Sequence, residues 1–354
     1  MVEMMRLWIL VLVAGLAVAG CAEGVGTPSG TADRTSAAGT GLRTEGCGSG
    51  ARCAPKEARR ASEKTGASAS EMRVAGAAAL RDYSLQRNAD AVHPSPREAK
   101  KKDKRSRMHT DNCHLDLRKT EAPACVYGAP SSETTVVLFG DSHAMQWFPA
   151  LHRLAEERDW RLVGFSKRAC PPAQVRVYNS ALERQYRECA EWREGTLERI
   201  VREEAPDLVV TSSLTSYGVR ENGKTLEGAD RAAAFEDGYV STLRELRSTG
   251  AAVATIEDVP HPDKDIPRCV SRSLDDLGKC AFPRGGAFDY PPINTRAAER
   301  VEGASPIDPT PVLCPGERCP AVIGDALVYR NGAHLTPVYV RTLAPWLGAR
   351  LPEP

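Results

Sequence analysis

Catalysis by a serine nucleophile needs a hydroxyl at an exposed turn, an imidazole within reach of it, and donors for a developing oxyanion. The stretch VVLFGDSHAMQWFPAL, residues 136–151, supplies the hydroxyl. An apolar run ends in Gly140, and Ser142 follows where a helical pattern begins. A hydroxyl so placed projects from the edge of a sheet. Its own N–H joins the unsatisfied amides of a helix start, which favour negative charge. Such a residue is far more often a plain helix cap than a nucleophile, so the choice turns on a base. The chain has seven histidines: His93, His109, His114, His143, His152, His261 and His334. His93 and His109 fall in or near a polar N-terminal stretch. His143 shares the turn with Ser142, and its backbone directs it elsewhere. His152 falls within the first helix, and His261 follows a strand end. His334, in LVYRNGAHLTPVY, sits in a loop that runs into the last helix and can return to the edge where Ser142 lies.

The elements that must position these groups are legible as alternating patterns. TTVVLFG (134–140), RLVGFSK (161–167), DLVVTSS (207–213) and AAVATIEDVP (251–260) read as buried strands. HAMQWFPALHRLAEERD, with a Pro that kinks it early, and residues 181–204, 230–250 and 336–351 read as helices. This alternation predicts an α/β fold, a three-layer α/β/α sandwich around a parallel sheet. Residues 261–328, rich in Pro, Gly and Cys, read as irregular insertions pinned by disulfides. In such a sheet ligands bind beyond the carboxyl ends of the strands. Lys167 and Asp258 end strands at that edge and are expected in structural ion pairs.

The first twenty residues read as a targeting segment. An apolar run is too short to span a bilayer core of about 30 Å and ends in VAGC, with Cys21 at the lipidation position of a bacterial lipobox. A plain signal peptide or an uncleaved anchor is the alternative. Residues 21–93 read as a tether: from 21 to 80 there is no Phe, Trp, Tyr or Ile to bury. Residues 97–107, REAKKKDKRSR, carry seven cations and two acids. They suit either a solvated linker or contact with anionic lipid or cell-wall polymer. The domain proper is expected over 94–354. Net charge is +1, so no electrostatic footprint for nucleic acid exists.

Export makes the cysteines a disulfide framework. Setting Cys21 aside leaves ten of the eleven. Local pairing gives Cys47–Cys53, Cys113–Cys125, Cys170–Cys189, Cys269–Cys280 and Cys314–Cys319. No pair has CxxC spacing or a His at finger-like spacing, so neither a metal nor a cofactor is expected.

GDSHAMQWFPAL resembles the first block of the SGNH hydrolase superfamily. More narrowly, with PACVYG, SKRACPP, CAEW and HLT in this order, the chain from about Pro94 to Leu351 resembles the SGNH domains fused to acyltransferase-family-three membrane proteins. Those proteins O-acylate bacterial surface glycans. The resemblance implies Ser142 as nucleophile and His334 as general base. It also implies an extracytoplasmic domain standing alone on a lipid anchor at the outer face of the cell membrane. The superfamily's acid stands three residues before the His, and here that position holds Asn331. In the Ser-His-Asp triad an Asp→Asn exchange costs about 10⁴ in turnover; Asn331-Gly332 is otherwise an ordinary turn pair, and Asp325 is a nearby substitute carboxylate. Many relatives supply an oxyanion hole from a Gly after the second strand and an Asn after the third. TSSLTSYG occupies the latter place, so Ser212 or Ser213 could join the Ser142 N–H, or be ordinary strand-end residues. Two readings follow. The first is a cell-surface serine esterase or O-acyltransferase acting on acyl esters of a glycan or glycolipid. The second is a catalytically weak accessory module serving a separate membrane acyltransferase or an acylated polymer.

Overall fold

The computed structural model describes residues 74–101, 106–123, 125–288 and 291–354. Five strands pair in parallel: β1 (Thr135–Gly140), β2 (Arg161–Lys167), β3 (Leu208–Ser212), β4 (Ala252–Ile256) and β5 (Ala304–Ile307). Their spatial order is β2-β1-β3-β4-β5. Two short strands continue the β2 edge, His114–Leu115 in parallel and Val126–Gly128 antiparallel. All of β1 is buried, as a strand covered on both faces must be.

The strand period of two splits the core into two layers. Val136, Leu138, Leu208 and Val210 face α2 (Phe148–Glu157) and α6 (Pro337–Thr342) through Leu151, Leu154 and Val340. Val137, Phe139, Val209 and Val253 face α3 (Arg187–Arg199), α4 (Gly228–Arg247) and α5 (Ile293–Glu299) through Trp192, Tyr239, Leu243 and Ala297. The expected α/β/α sandwich is therefore what forms. The single helix expected after β1 divides into α1 (Ser142–Met145) and α2, with Pro149 in the first turn of α2, where its missing N–H costs nothing.

The strand order reverses between β1 and β3, and crevices form at such switch points. Gly140 and Ser212, partners in register, mark the carboxyl ends there. Gly140 has φ +148°, and a Cβ on it would lie 2.6 Å from the Ser212 carbonyl and 2.8 Å from Ala144 Cβ. Only glycine lets the chain turn into α1 this close to its neighbour strand.

Three expectations need correction. Residues 261–328 are not wholly irregular: α5 and β5 lie within them. β5 was illegible because its four residues include Pro306, which an edge strand tolerates and a central one does not. The helix expected over 181–204 starts at Arg187, and Arg184–Gln185 instead pairs antiparallel with Val177–Asn179. Finally, residues 74–93 are not a free tether. A 3₁₀ turn, Gly76–Asp82, lies against the domain, with Ala75 and Gly76 N–H donating to Asp325 Oδ1 at 2.7 and 3.3 Å. Val92 is buried, and His93 exchanges backbone hydrogen bonds with Asp325 and Leu327. Asp325 is thus occupied as an anchor for the incoming chain, not as a substitute acid. The basic stretch also joins the body: Ser95 caps Pro96–Ala99, and Lys100 pairs with Asp265 at 2.5 Å.

Four of the five expected disulfides form: Cys113–Cys125, Cys170–Cys189, Cys269–Cys280 and Cys314–Cys319. Cys21, Cys47 and Cys53 lie outside the described residues. Such a set fits an oxidising, extracytoplasmic compartment. No helix among the described residues is long and apolar enough to cross a membrane. Non-reducing peptide mapping should recover these four linked pairs. The double variant Cys170→Ser/Cys189→Ser should lose about 2–5 kcal/mol of stability in denaturant titration; free thiols at these two positions in the native protein would contradict the pairing.

Candidate active site

The turn after β1 is built around Asp141. Its fully buried carboxylate caps α1, Oδ1 accepting from the His143 N–H at 2.7 Å and the Ala144 N–H at 3.3 Å. Its Oδ2 accepts from Tyr217 Oη at 2.7 Å and from the Leu214 N–H at 3.0 Å, in the loop that follows β3. One side chain therefore fixes the serine turn to the opposite lip of the crevice. Arg231 from α4 holds the same loop by donating to the Thr215 and Tyr217 carbonyls. On the other side Ser166 Oγ donates to the Asp141 carbonyl at 3.0 Å and contacts His114 Nδ1 at 2.8 Å.

The loop before α6 brings the base to this turn. Tyr329 pairs with Leu335, and Arg330 N–H bonds the His334 carbonyl, so residues 329–335 form a tight hairpin with Asn331-Gly332 at its tip. Gln146, one helical turn after Ser142, docks the hairpin by accepting the Leu335 N–H at 3.0 Å. His334 Nε2 then lies 2.9 Å from Ser142 Oγ, a hydrogen bond across 192 residues of sequence. His334 Nδ1 lies 3.1 Å from Asn331 Oδ1. That same oxygen accepts the Ala333 and His334 N–H groups, both at 2.9 Å. Two fixed donors mean the amide must present its oxygen, so Nδ1 carries the proton and Nε2 is free to accept from the serine. Asn331 thus supplies the orientation and tautomer of the missing acid but not its charge. Burial, and after it the neighbouring His143 and Arg330, hold His334 well below the usual histidine range. The imidazole is neutral and ready to take a proton at neutral pH.

His143 pairs with Asp258 and not with Ser142. It is fully buried, with Nδ1 2.6 Å from Asp258 Oδ1. Burial opposes both charges, yet the pairing overcomes it: His143 rises above its ordinary value and Asp258 falls well below its own. The pair's stabilisation is lost as pH falls through the depressed Asp258 value, and lost as pH rises through the raised His143 value. Among the described residues, His143, Asp258 and His261 bring metal-ligand atoms within 4.8 Å of one another. Here the carboxylate lies between two imidazoles, with His261 Nε2 3.6 Å from Asp258 Oδ2. The ring centres of His143 and His334 are 4.9 Å apart.

Of the remaining expectations, Asp258 is in its ion pair but Lys167 is not. The Lys167 ammonium, fully buried, donates to the carbonyls of Asp116, Leu117 and Lys119, and burial pulls it down to about 8. It ties the chain after His114–Leu115 to the end of β2. Ser213 is no free donor either: its hydroxyl bonds the Leu214 carbonyl at 2.7 Å. Ser212 Oγ is buried, with no hydrogen-bond partner among the described residues, next to Gly140 in register. Sequence reasoning missed Gln146, Tyr217 and the His143–Asp258 pair. Only Gln146 left a trace, its spacing of four from Ser142 on one helical face.

This site, on this fold, defines the class of SGNH-type ester hydrolases and O-acyltransferases. A family model described as the SGNH domain (fused to AT3 domains) matches residues 110–348, and the chain belongs to that family. Fourteen chains of known structure match. The periplasmic domain of a lipopolysaccharide acetyltransferase from Salmonella ser. Paratyphi A is similar at 16% identity and TM-score 0.46, over 63% of this chain and 85% of its own. An acetyl xylan esterase from the rumen bacterium Butyrivibrio proteoclasticus is similar at 12% identity and TM-score 0.33, over 62% of this chain and 63% of its own. No curated protein sequence matches.

Replacing Asp258 by Asn should leave a buried imidazole without its counter-charge. The expected cost is about 3–5 kcal/mol of stability, read as a lower denaturation midpoint. A loss no larger than that of an exposed ion pair such as Arg153–Glu157 would show that the buried pair is not holding the loops together.

Proposed function

We propose that this domain is a cell-surface serine esterase or O-acyltransferase acting on acyl, in the simplest case acetyl, esters of an extracytoplasmic glycan or glycolipid. The observation that carries the reading is the 2.9 Å hydrogen bond from Ser142 to a neutral His334 whose other nitrogen is held by Asn331. In this reading His334 Nε2 takes the Ser142 proton as Oγ attacks the acyl carbonyl. The oxyanion meets the Ser142 N–H, which Asp141 leaves to the substrate while capping the two amides after it. His334 returns the proton to the leaving alcohol. The acyl-enzyme then passes its acyl group to water or to a sugar hydroxyl, which His334 deprotonates in turn. Cys21, once lipidated, would hold the domain at the outer face of the membrane, where a separate membrane acyltransferase could supply acyl groups. The accessory-module reading rests on the uncharged Asn331.

Ser142→Ala should abolish labelling by a fluorophosphonate probe. Ser142→Ala, His334→Ala and the double variant should all lose aryl-acetate hydrolysis to nearly the same floor, because the two act as one unit. Additive losses would show the pairing to be incidental. Absence of both labelling and hydrolysis in the wild type would favour the accessory module.

Asn331→Asp should place a negative charge against the imidazole N–H and stabilise the imidazolium formed in the transition state. Aryl-acetate kcat/KM should rise by about tenfold or more (about 1.4 kcal/mol per tenfold). The acid limb of the pH profile should move upward, because an adjacent anion raises the histidine value that burial now depresses. A faster enzyme with an unmoved limb would separate the carboxylate's charge from its effect on His334.

A further inference from the structure

The pair Asn331-Gly332 has a chemistry of its own. Asparagine is among the residues lost to slow chemical change, and glycine has no side chain to screen its backbone nitrogen from the amide before it. Attack of that nitrogen on the side-chain carbonyl carbon closes a succinimide ring and expels ammonia. Both residues are exposed at the hairpin tip, so water has access to each step.

The surroundings of Asn331 favour this attack. Its Oδ1 accepts the Ala333 and His334 N–H groups, both at 2.9 Å, and lies 3.1 Å from His334 Nδ1. All three contacts fall on the oxygen and none on the NH2 that must leave. Donors gathered on a carbonyl oxygen draw charge from its carbon and stabilise the oxyanion that attack creates. The loop thus treats its own amide as a substrate carbonyl. The chain holds a second such pair, Asn222-Gly223, in the exposed turn between Gly218–Glu221 and Lys224–Thr225. Both of its residues have positive φ, +47° and +78°, as a tight hairpin requires. Among the described residues no hydrogen bond reaches the Asn222 side chain.

We propose that Asn331 is a self-modification site: in the folded protein the Gly332 nitrogen displaces ammonia from it, and water opens the imide to aspartate, so the chain installs a carboxylate against His334 after folding. The Gly332 N–H gives its proton to solvent hydroxide as the N–Cγ bond forms. The Cγ–Nδ2 bond breaks, and the NH2 leaves as ammonia with a proton from water. Water then adds at Cγ and the N–Cγ bond breaks, which restores the Gly332 N–H and leaves a carboxyl. The donors on Oδ1 favour addition there over addition at the main-chain carbon, which gives isoaspartate. The chemistry stands without the enzymatic reading above, whereas its consequence for activity rests on that reading.

The test is to age the whole protein in heavy-oxygen water at neutral pH and map its peptides by mass spectrometry, separating aspartyl from isoaspartyl forms. Residue 331 should show one amide-to-acid exchange with uptake of solvent oxygen, faster than residue 222 and with aspartate as the main product. Gly332→Ala should slow the exchange by about fivefold or more. Its thermal midpoint should not change, because the added Cβ meets only the Pro262 carbonyl, at 3.7 Å. Aryl-acetate hydrolysis should climb with the converted fraction towards that of Asn331→Asp. No exchange at residue 331, exchange no faster than at residue 222, or isoaspartate as the main product would overturn the proposal. Exchange without hydrolysis, in aged protein and in Asn331→Asp alike, removes the enzyme and keeps the modification site. Hydrolysis without exchange removes the modification site and keeps the enzyme.

Discussion

Everything at the candidate site hangs on the buried carboxylate of Asp141. Burial pushes this carboxyl up, and its four close donors supply the return. Two of them define the start of α1 and hence the direction of Ser142. The other two hold the loop after β3, which forms the facing lip. A carboxylate with oxygens on both sides of a crevice does more than cap a helix: it sets the crevice width. Gly140 is its necessary companion, since any side chain there would strike the Ser212 carbonyl before the turn could close.

Around that joint two neighbouring histidines are pushed in opposite directions: pairing with Asp258 raises His143, and burial lowers His334. His143 is tied to Asp258 in the interior. His334 lies alongside at the surface of the crevice and is kept neutral partly by that neighbour's charge. A full carboxylate at position 331 would strengthen His334 as a base but also hold it protonated at mildly acid pH. The amide, its oxygen pinned by two backbone N–H groups, keeps the geometry and forgoes the charge. The large penalty usual for an Asp→Asn exchange comes from the wrong tautomer, and this loop removes that component.

Much of this was legible from the chain. The buried strands β1 to β4 announce themselves by continuous apolar runs, and GDSHA and HLT mark the two loops that meet. Four disulfide pairs follow from proximity in sequence alone. What was hidden shares a physical cause: it depends on contacts between residues far apart. β5 carries a proline and takes its identity from β4 beside it. Lys167 looks like half of an ion pair, yet its partners are three backbone carbonyls, which no side-chain pattern reveals. Asp258 closes on His143 across 115 residues. Residues 74–93 offer only small, scattered apolar side chains, and they pack through Val74, Ala77, Leu80, Ala89 and Val92 together with backbone hydrogen bonds to existing edges.

That last contact has a mechanical meaning. The chain enters the domain by fastening to Asp325, then His93 joins the hairpin of Val322–Ile323 and Ala326–Leu327, and the next turn of backbone carries Asn331 and His334. A load applied ahead of residue 74 is therefore delivered first to the base of the reactive loop, not to the far side of the sheet. Whatever holds this domain by its N-terminal side grips it next to the hairpin that carries its own histidine.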